Sequence, residues 1–176
     1  MIDFASRLPL DQIRDGDRVD LVADSGECES VAERLGLLSL ERLEAHAVLS
    51  RDDQQIRASG RLKASLEQAC VATGEPVPEH VDEAFDLLFI PPPSKGKPDE
   101  EIELGSDELD TIFHDGTGIE LGNAIADTLA LSLDPYPRSA GADAALKEAG
   151  VMSEEEAGPF AALAALKSRM GGNSAP

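Results

Sequence analysis

Aromatic residues and cysteines are scarce in this chain. Its 176 residues include no tryptophan, one tyrosine and five phenylalanines, so aromatic residues make up only 3%. A core must therefore be built from leucine, valine, isoleucine and alanine, and the 41% hydrophobic content is sufficient for one domain. The two cysteines, Cys28 and Cys70, are too few and too far apart for a disulfide framework, which indicates a reducing compartment.

Long apolar runs and a basic leader are also missing. No stretch approaches the roughly 20 apolar residues that a helix needs to cross a bilayer. The first residues, Met-Ile-Asp-Phe, lack the basic region and apolar core of a signal peptide. We therefore predict a cytoplasmic protein that does not associate with membranes.

Basic residues are greatly outnumbered by acidic ones. Fifteen lysines and arginines stand against 35 aspartates and glutamates, which gives a formal net charge of −20. A charge of this size repels polyanions at long range, whereas nucleic-acid binding usually depends on a basic patch that neutralises phosphates. The overall charge therefore favours basic proteins as partners.

The first part of the chain has a strand pattern followed by a strong helix signal. Residues 17–23 alternate, with Val19, Leu21 and Ala23 on one side, which predicts a half-buried strand. Asp24-Ser-Gly-Glu27 has the spacing of a capping box, and Gly36 provides a stop. The sequence therefore predicts a helix over 24–36, with an apolar face formed by Cys28, Val31, Ala32 and Leu35.

The centre of the chain alternates over a long distance. Residues 43–49 predict a second strand, and Asp52-Asp53 predicts a turn. Every second residue from Ile56 to Cys70 lies on one face, and all of these except Gln68 are apolar or small, while polar residues alternate with them from Arg57 to Glu67. Thr73-Gly-Glu-Pro76 supplies another turn. Val81, Phe85, Leu87 and Phe89 predict the returning strand. A sheet with one buried face and one solvent-exposed face is typical of an antiparallel meander, which is predicted here to span roughly residues 40–90.

The later part combines an acidic stretch with helical patterns. Proline-rich and acidic sequence over 91–110 predicts a flexible loop, which is either a disordered arm for a basic partner or a solubilising connector. An amphipathic helix is predicted over 120–133, and Pro135 and Pro137 stop it. Weaker patterns predict a helix near Asp143–Ala149 and another from about Pro159, with Phe160, Leu163 and Met170 on one side.

Several segments also resemble the bacterial YceD family, the large ribosomal RNA subunit accumulation proteins. The resemblance is carried by Ile119–Arg138, which runs from Glu-Leu-Gly through a leucine-rich turn into Asp-Pro-Tyr-Pro-Arg. Earlier segments in the same order are Ser59-Gly-Arg-Leu, Cys70-Val-Ala-Thr-Gly-Glu-Pro-Val77 and Phe85–Pro91, and the end Pro159–Lys167 is similar to family members from proteobacteria. Together these segments cover most of the chain.

From these patterns we predict an α+β fold. Its curled antiparallel sheet of five or six strands, open or barrel-like, is expected to pack against the 24–36 and 120–133 helices. Residues 1–138 are predicted to form a single YceD-like domain that includes the 91–110 loop. Residues 139–176 are predicted to form a helical, partly disordered C-terminal tail.

The resemblance implies a role in the accumulation of large-subunit (23S) ribosomal RNA, and hence in ribosome biogenesis. Combined with the charge, it leads to the hypothesis of a non-catalytic acidic adaptor. The expected partner is a basic large-subunit ribosomal protein or a pre-ribosomal particle. The alternative is a direct RNA-binding protein that uses the strand face of Arg57, Arg61 and Lys63 to contact ribosomal RNA.

The resemblance also raises the question of a metal, because some family members carry paired cysteines of the kind that bind zinc. In this chain the first of those positions offers Cys70 alone, and the second reads Pro135-Tyr-Pro-Arg138. Zinc needs about four ligands, and His46, His80 and His114 have no ligand-like spacing. We therefore predict no metal site and no cofactor, with Cys70 and Cys28 as small buried side chains.

Catalytic motifs are absent from the sequence. It has no phosphate-binding glycine loop, no nucleophile elbow and no zinc-protease motif. Carboxylates are abundant, but acid–base catalysis requires a pair placed in a cleft with shifted pKa values. We therefore predict that the protein is not an enzyme and has no catalytic residues and no small-molecule substrate.

Five residues remain as candidates for binding a partner. Arg57, Arg61 and Lys63 form the clearest basic cluster, which either contacts ribosomal RNA phosphates or simply pairs with nearby carboxylates on the wet face of a strand. Tyr136 and Arg138 are either an exposed contact of the type favoured at interfaces, or a packed aromatic ring and an ion-paired cation.

Overall fold

The computed structural model of the protein describes residues 2–92 and 110–151. Packing contacts divide the chain into two compact units. The first comprises Met1–Gln68 and Pro76–Pro135. The second comprises Ala69–Glu75 together with the part of the chain that follows Pro135, of which the description extends to residue 151.

Eight strands, three α-helices and one 3-10 helix make up the described structure. The strands are β1 (Ile2–Asp3), β2 (Leu8–Pro9), β3 (Arg18–Val22), β4 (Ser39–Asp52), β5 (Gln55–Ala69), β6 (Pro76–Ile90), β7 (Asp110–Phe113) and β8 (Gly118–Ile119). The helices are α1 (Ser25–Leu35), α2 (Leu121–Ser132) and α3 (Ala142–Glu148), and the 3-10 helix is Leu10–Gln12.

Helix α1 begins and ends as the sequence predicts. The side chain of Asp24 accepts a hydrogen bond from the backbone N–H of Glu27, and the side chain of Glu27 accepts one from the backbone N–H of Asp24. This reciprocal pair satisfies N–H groups that the first helical turn leaves without partners. Gly36 ends the helix in the left-handed conformation at φ 68°, which glycine adopts without strain.

The long strands β4, β5 and β6 form the predicted meander. Strands β4 and β5 pair antiparallel from Ser39↔Glu67 to Asp52↔Gln55, with one register shift between Leu40 and Arg42. Only residues 70–75 connect β5 to β6, which is too short for a parallel crossover, so this pair is also antiparallel. Along β5, buried residues alternate with exposed or partly exposed ones from Ile56 to Leu66, except at the partly exposed Gly60, and this pattern confirms the predicted faces.

The sheet is mixed and open. Its six strands lie in the order β1-β3-β4-β5-β6-β7, and β2 and β8 form a separate two-stranded sheet. The prediction of an antiparallel sheet is correct for the centre but wrong at both edges, because β1 is parallel to β3 and β7 is parallel to β6. Within the described ranges no pairing joins the two edge strands, so the sheet does not close into a barrel.

Helices α1 and α2 cover one face of this sheet, as the sequence predicts. Helix α1 packs on β4 and α2 packs on β6. Their buried residues join the inward residues of β3 to β6 in a single apolar cluster, in which Leu43, Ile56, Leu62, Ile125 and Leu129 are completely inaccessible. The opposite face of the sheet, here called the outer sheet face, carries the polar residues of the same strands.

Two predicted segments fall largely outside the description. Residues 93–109 of the predicted acidic loop are not described, and Asp110, which the prediction places in that loop, begins β7. The helix predicted from Pro159 also lies outside the described residues. The helix predicted near Asp143–Ala149 is present as α3.

Candidate binding surfaces

The outer sheet face brings Arg57, Arg61 and Lys63 together on β5. They alternate with the inward residues Ala58 and Leu62, so all three side chains leave the sheet on the same side and are exposed. The cluster predicted from the sequence is therefore a geometric cluster as well.

Two of these cations are engaged by carboxylates of β6. The Nε atom of Arg57 donates to Oδ1 of Asp86 at 2.7 Å, and its Nη2 atom pairs with Oδ2 of the same carboxylate. This two-point hydrogen bond with Asp86 raises the pKa of Arg57, and Arg57 in turn lowers the pKa of Asp86. Arg61 donates to the side chain of Asp82 at 2.8 Å and to its backbone carbonyl at 3.1 Å. The positive charge of both arginines is thus neutralised locally.

The charge alternation extends across the sheet. His46 on β4 lies opposite Arg61 and also opposite Asp20 on β3, and its Nδ1 atom is 2.6 Å from Oδ1 of Asp20. The hydrogen bond with His46 lowers the pKa of Asp20. Lys63 lies opposite Glu44 in the same register. The outer sheet face therefore presents alternating charges rather than the positive field that would attract phosphates.

Tyr136 and Arg138 belong to the second unit. Tyr136 is 74% exposed, and Arg138 pairs through Nη1 with Oδ1 of Asp143 at 3.2 Å. Of the two alternatives for each residue, the structure shows an exposed tyrosine and an ion-paired arginine.

The second unit also holds Cys70, in the turn that connects β5 to β6. The backbone N–H of Val71 donates to the carbonyl of Pro137 at 2.9 Å, and the hydroxyl of Ser139 donates to Oε2 of Glu75 at 2.8 Å. Cys70 itself is 3% exposed, which confirms the prediction of a small buried side chain; Cys28 is likewise buried. These bonds tie the turn to the segment that follows Pro135 within the second unit.

The groups around Cys70 include hydrogen-bond donors that favour the thiolate form. The backbone N–H of Ser139 and then the hydroxyl of Thr73 lower the pKa of this thiol to about 6. Zinc needs several nitrogen, sulfur or carboxylate ligands, whereas backbone N–H groups have no lone pair to offer. Across residues 2–92 and 110–151, no three His, Cys, Asp or Glu side chains are placed to hold a metal.

We expect the Cys70 thiol to titrate near pH 6 in the folded protein. In a Cys28→Ala variant, ultraviolet absorbance of the thiolate should rise with a midpoint near 6, and Thr73→Val should move the midpoint upward because a donor is lost. The ordinary thiol pKa of 9.0, which applies to the unfolded chain, is higher than the pKa in the folded protein. Between pH 6 and 9 the folded state therefore binds fewer protons than the unfolded state. Stability should then rise with pH from about 6 to 9 and lose this contribution as pH falls through 6.

Replacement of Cys70 tests the same linkage. In Cys70→Ala the increase in urea resistance between pH 6 and 9 should become smaller, while Cys28→Ala should retain it, because burial raises the pKa of Cys28 instead. A Cys70→Ala profile that matches the parent profile would show that the donors around Cys70 do not hold a thiolate.

A pocket in the first unit was not predicted from the sequence. It has a volume of about 450 Å³ and lies where β6, β7, β8 and the beginning of α2 meet. Arg7 and Arg34 both line this pocket. Arg7 is paired with Asp115, and the Nη2 atom of Arg34 lies 3.4 Å from Oδ1 of Asp127. The Arg7 side chain is the first cause of the strongly lowered pKa of Asp115. Because Arg7 and Asp115 are 108 positions apart, no local pattern could have joined them.

His114 is the one buried polar residue among the described residues, and it also lines the pocket. Its Nε2 atom is 2.7 Å from the carbonyl oxygen of Gln54, and its Nδ1 atom accepts a hydrogen bond from the backbone N–H of Gly116 at 3.0 Å. These partners fit the neutral imidazole with its hydrogen on Nε2. Through these two hydrogen bonds His114 fixes the β7–β8 connection.

These features define a first unit with a two-layer α+β fold, a charge-alternating sheet face and a polar-rimmed pocket. The chain matches the model of a family described as large ribosomal RNA subunit accumulation protein YceD over residues 58–167, and it belongs to that family. The match begins in β5 and includes all later described elements, while α1, β3 and β4 precede it. No curated protein and no solved structure gives a significant match.

Family membership connects the protein with ribosome biogenesis through the accumulation of large-subunit ribosomal RNA. The family is described as an accumulation factor and not as an enzyme. None of the helices in the described ranges combines the length and apolar character that a bilayer crossing requires.

Proposed function

We propose that the protein is a non-catalytic acidic adaptor in the cytoplasm that holds a basic large-subunit ribosomal protein, or a pre-ribosomal particle containing it. The net charge of −20 supports an attraction to basic proteins. Family membership supports the ribosomal process in which that attraction would act.

One observation favours an adaptor over an RNA-binding protein: Arg57 is paired with Asp86, and Arg61 is paired with Asp82. To bind a phosphate, each arginine would have to break its ion pair with its aspartate. If the pair stayed intact, the negative carboxylate would lie beside the negative RNA backbone. The third cation of the cluster, Lys63, makes no ion pair within the described residues, and Glu44, which lies opposite it, is paired with Arg42 at 2.6 Å. The cations on this face are thus more suited to stabilising the sheet surface than to binding RNA.

Affinity purification at low and high salt tests the adaptor. At low salt the tagged protein should recover large-subunit ribosomal proteins, also after ribonuclease treatment, and recovery should fall at high salt because charged contacts are screened. Recovery of neither a ribosomal protein nor a pre-ribosomal particle would rule out the adaptor.

A charge-matched pair of variants tests the RNA alternative. The first double variant, Asp82→Asn with Asp86→Asn, removes the two carboxylates that pair with Arg61 and Arg57. The control double variant, Asp11→Asn with Glu29→Gln, removes the same amount of negative charge at exposed sites elsewhere. We expect neither the parent protein nor the control to bind large-subunit RNA fragments measurably. Salt-sensitive RNA binding by the parent, abolished by Arg61→Glu, would instead establish direct RNA binding through this face.

A further inference from the structure

The pocket of the first unit has an apolar floor and an aromatic residue at its mouth. Phe89, Ile119 and Ala124 are buried and form part of the lining, and Ile112 is partly buried. Phe113, the last residue of β7, also lines the pocket and is 58% exposed. An exposed phenylalanine is notable here, because the chain has only five and three others, Phe4, Phe85 and Phe89, are buried.

The rim of this pocket has an excess of negative charge. Its two cations, Arg7 and Arg34, are paired with Asp115 and Asp127. The third acidic residue, Glu120, is exposed and accepts a hydrogen bond at Oε2 from Nδ2 of Asn123, at 2.8 Å. It makes no ion pair with any residue in the described ranges. A cation brought by a partner would therefore find, in the lining of one pocket, a carboxylate without an ion-pair partner in the described ranges and an exposed aromatic ring.

We propose that this pocket binds an arginine side chain of the basic partner; this inference rests on the proposed adaptor function. The aliphatic part of the arginine packs against Ile112, the guanidinium stacks on Phe113, and Glu120 accepts its hydrogen bonds. Arginine fits better than lysine, because a planar guanidinium stacks on an aromatic ring and pairs with a carboxylate at two points.

Two synthetic peptides of equal charge test the preference directly. One alternates arginine with serine and the other alternates lysine with serine, and binding to the full chain is measured by calorimetry and by NMR. The arginine peptide should bind about fivefold to tenfold more tightly than the lysine peptide. Its amide shift changes should be concentrated at Phe113, Glu120 and Asn123. Equal affinity for the two peptides, or shifts spread over the outer sheet face, would overturn the proposal.

Charge-matched variants separate the pocket from the general acidity of the protein. Glu120→Lys changes the charge at the pocket, and Glu29→Lys makes the same change at an exposed position of α1 that does not line it. Binding of the arginine peptide should weaken about tenfold or more in Glu120→Lys and no more than about twofold in Glu29→Lys. Similar weakening in both variants would refute the pocket while leaving the adaptor function intact.

A second variant avoids dependence on a charge reversal. Phe113→Ala removes only an exposed ring, and its NMR spectrum should show that the fold is retained. This substitution should weaken binding of the arginine peptide more than binding of the lysine peptide, and so reduce the ratio of the two affinities. An unchanged ratio contradicts the stacking role. Failure of the adaptor itself is a different result, namely that no ribosomal protein is recovered with the parent chain.

Discussion

Replacing Gly122 with alanine is expected to destabilise the protein by about 3 kcal/mol, because overpacking a rigid contact costs up to this amount. A Cβ atom at this position would lie 1.8 Å from the backbone oxygen of Phe4 and 2.9 Å from its carbonyl carbon. Relief cannot come from a side-chain rotation, since the obstacle is backbone. Either α2 or the segment around Phe4 must move, and both contribute to the same core.

Gly26 provides a matched control for this substitution. Gly26 and Gly122 are each the second residue of a helix, but a Cβ at Gly26 meets nothing closer than Oδ1 of Asp24 at 3.5 Å. Gly26→Ala should therefore be neutral or stabilise the protein by up to about 1 kcal/mol. Urea unfolding of both variants measures the difference. Equal stability of Gly122→Ala and the parent would show that Phe4 does not lie against α2.

Replacing Phe89 with alanine should cost about 3–5 kcal/mol, the usual range for removing a buried phenylalanine. Phe89 is 1% exposed on the inner face of β6 and is part of the main core cluster. Because protein interiors are close-packed and relax only partly, removal of its ring should leave a cavity in this cluster. Thermal and urea unfolding should both show the loss.

Phe113 is the natural comparison, because it lies on the neighbouring strand β7 and lines the same pocket. It is 58% exposed, so Phe113→Ala should change stability by no more than about 0.5 kcal/mol. If the two substitutions destabilise the protein equally, the assignment of Phe89 to the core and Phe113 to the pocket mouth is wrong.

Local sequence patterns were sufficient for the centre of the fold. The capping box at Asp24 and Glu27 and the alternation from Ile56 to Leu66 involve neighbours within a few residues, and both are confirmed. Helix α2 was similarly marked by its own periodicity and by the prolines after it. In each case the signal lies inside the element that it specifies.

The edges of the sheet and the pocket could not be predicted in this way. Strands β1 and β8 are two residues long, too short for any alternation, and β7 follows a stretch that is acidic. The pocket depends on pairs such as Arg7 with Asp115, and their proximity follows only from the assembled fold. The basic cluster was visible because Arg57, Arg61 and Lys63 share one strand, but the carboxylates of β6 that engage two of them lie more than 20 positions away.

The attachment of the N-terminal segment also constrains the order in which the protein can form. Leu8 pairs with Ile119, and the backbone N–H of Leu10 donates to the carbonyl of Thr117, so these two contacts of the segment depend on residues made much later. During synthesis the meander and α1 can assemble from a continuous early stretch of chain, whereas this closure must wait until Ile119 has emerged. β1 can already pair with β3 before that point, whereas Leu8 and Leu10 acquire these contacts late, and the pocket that Arg7 borders is completed only at that step.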